Sequence, residues 1–207
     1  GRFLWASTSD FIGRKNTYFC FFVLGAILYS SIPYFALEAS ANPSTVIYFA
    51  GFCIATMIIF TMYGGGFATI PAYLADIFGT MHVGGIHGRL LTAWSTAGVL
   101  GPVSILQLRD FSRLNAINDL VSKIDPQAFL DKFGAPVEQL EQLVSAKTVT
   151  IARLMEIVPA GTIDPTPSLY NTTMYAMAGL LVIAFFANLF MKPVDKSHHF
   201  KGDPSKQ

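Results

Sequence analysis

Charge is the scarcest property of this sequence. Asp, Glu, Lys and Arg make up 13% of its 207 residues, about half of the roughly 25% usual in soluble domains. The scarcity is also uneven. Thr17–Leu37, Ala39–Ala75, Leu90–Leu108 and Pro165–Met191 contain no Asp, Glu, Lys or Arg at all. A helix rising about 1.5 Å per residue crosses the hydrocarbon layer in about 20 residues, and every one of these runs is near that length or longer. One such run fits the core of a large soluble protein. Four of them in so short a chain cannot all find a soluble shell. The pattern predicts an all-α, multi-pass membrane protein.

Cysteine is nearly as scarce. Cys20 and Cys53 sit in apolar runs with no CxxC spacing and no neighbouring His, so neither a zinc site nor a disulfide framework is indicated. The four runs also lack His, Asp and Glu, which removes the convergent polar groups a membrane-embedded enzyme needs. No catalytic residue, cofactor, metal or nucleic-acid partner is expected. The chain has no initiator Met, and its start lacks the basic stub and short apolar core of a cleavable signal peptide. It is expected to begin inside a larger protein.

Turn chemistry sets the boundaries. "EASANPST" (Glu38–Thr45) is a short loop marked by Asn42-Pro43. The second span runs from near Val46 toward Pro71 and contains Gly64, Gly65 and Gly66. "YLADIFGTMHVGGIHGR" connects it to a third span from about Gly88 to Leu108, and a fourth covers Leu169–Met191, stopped by Lys192-Pro193. Residues 192–207 form a polar tail. Residues 109–168 differ in kind. They hold six basic and eight acidic residues, with apolar positions at helical spacing: Leu114, Ile117, Val121 and Ile124; then Val137, Leu140 and Val144; then Ile151, Leu154, Met155 and Val158. Asp125-Pro126 has the form of an N-cap and first helical position. Three or four short amphipathic helices are expected, forming a water-exposed insert.

Connections between four spans alternate sides. Arg2, Arg14, Lys15, Arg89, Lys192, Lys196, Lys201 and Lys206 fall on one side, while Glu38–Thr45 carries no Lys or Arg. Basic residues close to span ends stay cytoplasmic, and long translocated segments escape this rule. The opening turn, the second connection and the C-terminus are therefore expected in the cytoplasm of a cell-membrane protein, and the insert outside. In "SDFIGRK", Gly13 permits a tight turn, and Asp10 has the chemistry to cap a helix or pair with an Arg. A carboxylate and a guanidinium at fixed spacing can latch helices that separate during a conformational cycle.

The motif D-x-x-G-R-K, here Asp10, Gly13, Arg14 and Lys15, resembles the cytoplasmic loop motif of the major facilitator superfamily. "GRFLWASTSDFIGRKN", "YGGGFATIPAYLADIFGT" and "HGRLLTAWSTAGVLGP" together resemble its oxalate/formate antiporter family, related to the monocarboxylate transporters. Ala6 and Phe11 depart from the loop motif, which usually has Gly and a basic residue there. The resemblance implies the C-terminal part of a major facilitator fold: the end of helix eight, helices nine to twelve, and an insert before the last. It also implies a secondary transporter moving small mono- or dicarboxylates by alternating access, with a missing N-terminal helical bundle as its other half. A proton-coupled monocarboxylate symporter and a non-transporting sensor or assembly subunit are the alternatives.

Transporters of this kind bind substrate near the bilayer midplane, where helix breaks and small residues expose polar groups. Tyr63 and Phe67, four residues apart, share a helix face, and Trp94 adds an indole donor with Thr92, Ser95 and Thr96 nearby. These three aromatics are the expected carboxylate site. Gly64, Gly65, Gly66, Pro71, Gly101 and Pro102 are expected to bend helices or bring them close. No span carries a cation in its middle, and Arg89 lies at a helix end.

Overall fold

The computed structural model describes residues 1–195. Among them the regular structure is helical, with no strand. The chain divides into two compact units, Ser104–Thr173 and the residues on either side of it. Among the described residues eight α-helices follow in order: α1 Arg2–Ile12, α2 Arg14–Ala41, α3 Val46–Phe78, α4 Val83–Val121, α5 Pro126–Phe133, α6 Leu140–Ser145, α7 Ile151–Met155 and α8 Asn171–Phe190. The helices α2, α3 and α4, and α8 with the turn before it (Thr166–Phe190), are long and apolar enough to cross a membrane. This is compatible with a multi-pass membrane protein.

The first unit contains α1, α2, α3, the start of α4 and most of α8. The polar opening is narrower than its composition suggests. The helix runs to Ile12, and one residue, Gly13, separates it from α2. Gly13 adopts φ 86°, a conformation open to glycine and costly for residues with a Cβ. Its N–H still reaches the Ser9 carbonyl at 3.1 Å, and its carbonyl accepts from Thr17 N–H at 3.0 Å, so the corner wastes almost no backbone hydrogen bonds. The breaks at residues 42–45 and 79–82 are similarly short.

Aromatic rings and small residues seat the helices of this unit. Trp5 meets the Phe21 ring edge-on at 4.8 Å, and Tyr18 stacks on Tyr73 at 5.1 Å. Gly65 is what admits Trp5: a Cβ there would overlap the indole. Gly25 faces Leu181 of α8 in the same way, and Phe19 lies 5.0 Å from Phe185. By contrast, Leu90–Leu100 of α4 is exposed throughout.

The second unit is a small helical module with its own dry core. Ile117, Leu120, Phe129, Val149 and Leu154 are almost wholly buried there. Asp125 caps α5 by accepting from Gln127 N–H at 2.7 Å, Pro126 takes the first helical position, and Gly134 closes the helix in the left-handed conformation. Thr150 caps α7. The helix expected to end at Leu108 continues to Val121, because Leu114, Ile117 and Val121 keep the helical spacing past the charged Arg109-Asp110 pair. Lys132 and Glu156 pair at 2.5 Å. The hydrogen bond and charge of Lys132 hold the Glu156 carboxyl below its ordinary value.

Phe129 is 0% exposed, so Phe129→Ala should destabilise this unit by about 3–5 kcal/mol. Protease cleavage within residues 104–173 of the complete protein should then begin at lower temperature; unchanged protection would contradict the core assignment. Because the folded Glu156 carboxyl is lowered, its contribution is present above the unfolded carboxylate value and fades as pH falls through the folded one. Lys132→Met should remove that acid-side loss, as read by protease protection across the acidic range.

Candidate functional site

Two places in the first unit gather the chemistry. The first is aromatic. Tyr63 and Phe67 sit one turn apart on α3, and both reach Trp94 of α4. The ring centroids are 5.4 Å apart for Tyr63–Phe67, 5.7 Å for Tyr63–Trp94 and 4.3 Å for Phe67–Trp94. Phe67 meets the indole edge-on, at 79°, the arrangement favoured by aromatic quadrupoles and worth about 0.5–1.5 kcal/mol per pair beyond burial. The cluster is not sealed: Tyr63 is 58% and Trp94 46% exposed. The Tyr63 hydroxyl and the Trp94 indole N–H make no hydrogen bond among the described residues, so both are available to an outside acceptor. Around them Thr92, Ser95 and Thr96 turn their hydroxyls back to carbonyls of their own helix. Those three are satisfied internally rather than aimed outward.

The glycines beside Tyr63 have distinct surroundings. Gly65 receives Trp5, Gly64 faces the Arg2 side chain, and Gly66 offers its carbonyl to the Tyr18 hydroxyl at 2.7 Å. The helix α3 runs unbroken through them and through Pro71, as α4 does through Gly101 and Pro102.

The second place is the corner at Gly13. Asp10 and Arg14 form an ion pair at 2.5 Å, one helical turn apart across the glycine, and Arg14 also donates to Ser9 Oγ at 3.1 Å. Asp10 pairs and does not cap: α2 begins at Arg14, after Gly13, without a side-chain cap. Lys15 turns the other way. Its Nζ donates to the carbonyls of Leu189 and Met191 at 3.1 and 2.7 Å, placing a cation where the C-terminal end of α8 carries unpaired carbonyls and partial negative charge. Asn188 completes the junction: its amide donates to the Lys15 carbonyl at 3.2 Å, and its oxygen accepts from the buried Tyr73 hydroxyl at 2.7 Å. Val194 N–H then donates to the Ile77 carbonyl at 2.9 Å. The start of α2 and the ends of α3 and α8 are thereby tied at one level.

Trp5, Tyr18, Tyr73 and Asn188 were not singled out by sequence reasoning. Asn188 had a usable signal, as the one amide side chain within an otherwise apolar run from Thr173 to Met191. Among the described residues no group of His, Cys, Asp and Glu is arranged to hold a metal. His82 and His87 lie near the start of α4, Cys20 and Cys53 are free, and His198 and His199 lie outside the described residues, with most of the tail. The chain matches no family model, no curated protein and no solved structure.

Removing the Asn188 amide strands the Tyr73 hydroxyl in the bundle, at a cost of about 1–3 kcal/mol. Asn188→Leu should therefore lower the Tm of the purified complete protein by several degrees, read by tryptophan fluorescence. Lys15→Met should follow it, while Lys15→Arg keeps a donor and should stay near the unaltered protein. An unchanged Tm for Asn188→Leu would dissolve the proposed junction.

Proposed function

We propose that this chain is the C-terminal part of a secondary active transporter of the cell membrane, moving small mono- or dicarboxylates such as oxalate or formate by alternating access. The observation that carries the reading is the Tyr63–Phe67–Trp94 cluster. It joins the uncharged stretches of α3 and α4 and presents a hydroxyl and an indole N–H without partners among the described residues. Donors held in a low-dielectric site bind an anion more strongly than the same donors in water, and aromatic faces exclude water around it. The resemblance of the motifs at Asp10, Tyr63 and Trp94 to the oxalate/formate antiporters supports the same reading.

In this reading the Gly13 corner and the C-terminus are cytoplasmic, residues 104–173 face outward, and the helices expected upstream supply both the second bundle and any substrate-pairing cation. The exposed Leu90–Leu100 stretch is then the surface that meets lipid and that bundle. No bond is made or broken in the substrate. Exchange and proton symport are both compatible with these residues. The folded core of the second unit favours one competing reading, a membrane sensor in which that module binds a partner and nothing crosses.

Uptake of labelled oxalate, formate and lactate into vesicles carrying the complete protein separates the two. Transport is expected, and binding without uptake would favour the sensor. Trp94→Ala should insert normally and lower uptake by about tenfold, the scale of one lost hydrogen bond to a charged group. Unchanged kinetics would remove Trp94 from the site. Asp10→Asn should slow cycling more than it weakens binding; an equal loss in both would count against the latch.

A further inference from the structure

Arg109 and Arg113 are the first cations on α4 after its uncharged stretch Leu90–Leu108. Four residues apart, they share one helix face. That face continues into Ile117 and Leu120, which are 0% and 1% exposed in the core of the second unit. Both arginines are accordingly partly buried rather than free in water. Neither forms an ion pair or a hydrogen bond among the described residues, and the exposed Asp110 pairs with neither. Arg14, Lys123 and Lys132, by contrast, each meet a carboxylate.

The surroundings add to this positive charge. Arg109 lays its guanidinium over the Tyr170 ring, 5.6 Å from the centroid, and its Nε is closed to solvent without a hydrogen-bond partner. Ser112, between the two arginines in sequence, donates to the Thr172 hydroxyl at 3.2 Å, so the first turn of α8 stands at the level of the pair. That turn holds no acidic residue, and its leading N–H groups carry partial positive charge. The Thr173 hydroxyl beside it is buried and also without a partner. Two guanidiniums and a helix N-terminus thus gather at one level with no protein carboxylate to balance them. The planar fork of Arg matches the oxygens of a phosphate.

Depth identifies where that phosphate comes from. The uncharged stretch before Arg109 spans about 28 Å at 1.5 Å per residue, close to the roughly 30 Å of bilayer hydrocarbon. Arg109 then falls at the edge of the hydrocarbon and Arg113 about 6 Å beyond it, within a headgroup layer about 5–8 Å deep. Leu106, Phe111 and Tyr170 are exposed nearby in the chain, and apolar and aromatic side chains suit that boundary.

We propose that Arg109 and Arg113, with the first turn of α8, form a site for the phosphate of a phospholipid headgroup, in the leaflet on the side of the second unit. The site rests on α4 and α8 crossing lipid and is independent of what is transported. It fastens the base of the helical module to the membrane surface through one held lipid rather than through diffuse charge.

The test uses the complete protein, purified and stripped of lipid in a maltoside detergent. Dihexanoyl phosphatidylglycerol, dihexanoyl phosphatidylcholine, phosphate-free dihexanoylglycerol, inorganic phosphate and oxalate are titrated singly. Bound mass is read by native mass spectrometry and Tm by tryptophan fluorescence. Both phospholipids should fill a tight site and raise the Tm, and the other three compounds should bind it at least tenfold more weakly. Arg109→Gln and Arg113→Gln should each weaken the site about tenfold or more. Arg109→Lys should do the same, because an ammonium keeps the charge without the fork, while Lys123→Gln on the same module should leave binding unchanged. If Arg109→Gln fails to fold, Arg113→Gln and Arg109→Lys carry the comparison. Unaltered affinity in Arg109→Lys would reduce the pair to diffuse surface charge and overturn the site. Dihexanoylglycerol binding as tightly as the phospholipids would overturn phosphate recognition. Inorganic phosphate or oxalate binding that tightly would overturn the lipid source and leave a site for a small free oxyanion. Phospholipid binding untouched by all three arginine substitutions would overturn the proposal entirely.

Discussion

A backbone in hydrocarbon has no water to turn to, so each N–H and C=O must find its partner within the chain. The first unit is compatible with that constraint. The helices α2, α3 and α4 run for 28, 33 and 39 residues, and the gaps between consecutive helices from α1 to α4 are a few residues at most. Hydroxyls inside the helices are folded back onto carbonyls of their own helix, as Thr56 is onto Phe52 and Ser31 onto Leu28. What remains polar is spent between helices. Tyr18 reaches Gly66, Trp5 donates to Thr61 at 3.2 Å, and Asn188 bridges Tyr73 and the Lys15 carbonyl. The few polar groups that escape this economy, Tyr63 and Trp94 among them, are for that reason the best candidates for meeting a substrate.

The second unit is built the opposite way. There the charged groups are numerous and exposed, and stability rests on a cluster of buried Ile, Leu, Val and Phe side chains. Two of its three short helices, α5 and α7, are begun by side-chain caps at Asp125 and Thr150, since helices of five to eight residues depend on capping and packing. In α1 to α3 no side-chain cap is used; length and packing between helices do that work. The two units differ in composition and solve the same backbone problem in different ways.

That difference is why so much of the architecture was legible in the sequence. Uncharged runs located the four long helices, and Asp125-Pro126 announced α5 down to its cap. Tyr63, Phe67 and Trp94 were expected to enclose a carboxylate, from spacing on α3 and donor chemistry on α4; in the structure their rings pack on one another. Boundaries were harder. Charge at Arg109 and Asp110 suggested an end at Leu108, but charge ends a membrane run without ending a helix. The opening "SDFIGRK" was expected as a turn, because composition cannot distinguish a polar loop from two polar helix ends joined by one glycine. Lys15 was expected as a topological anchor and a part of the latch. Its bonds to the end of α8 join residues more than 170 positions apart, and no local pattern encodes such a pairing.

Whether these helices cross lipid as proposed is the claim on which the transport account stands. The direct measurement replaces Cys20 and Cys53 by Ala in the complete protein, places single cysteines at Asn16 or at Ser122, and labels intact cells with a membrane-impermeant maleimide. The account predicts that the Ser122 position is labelled from outside and the Asn16 position only after the membrane is opened. Labelling of both positions from the same side would contradict it.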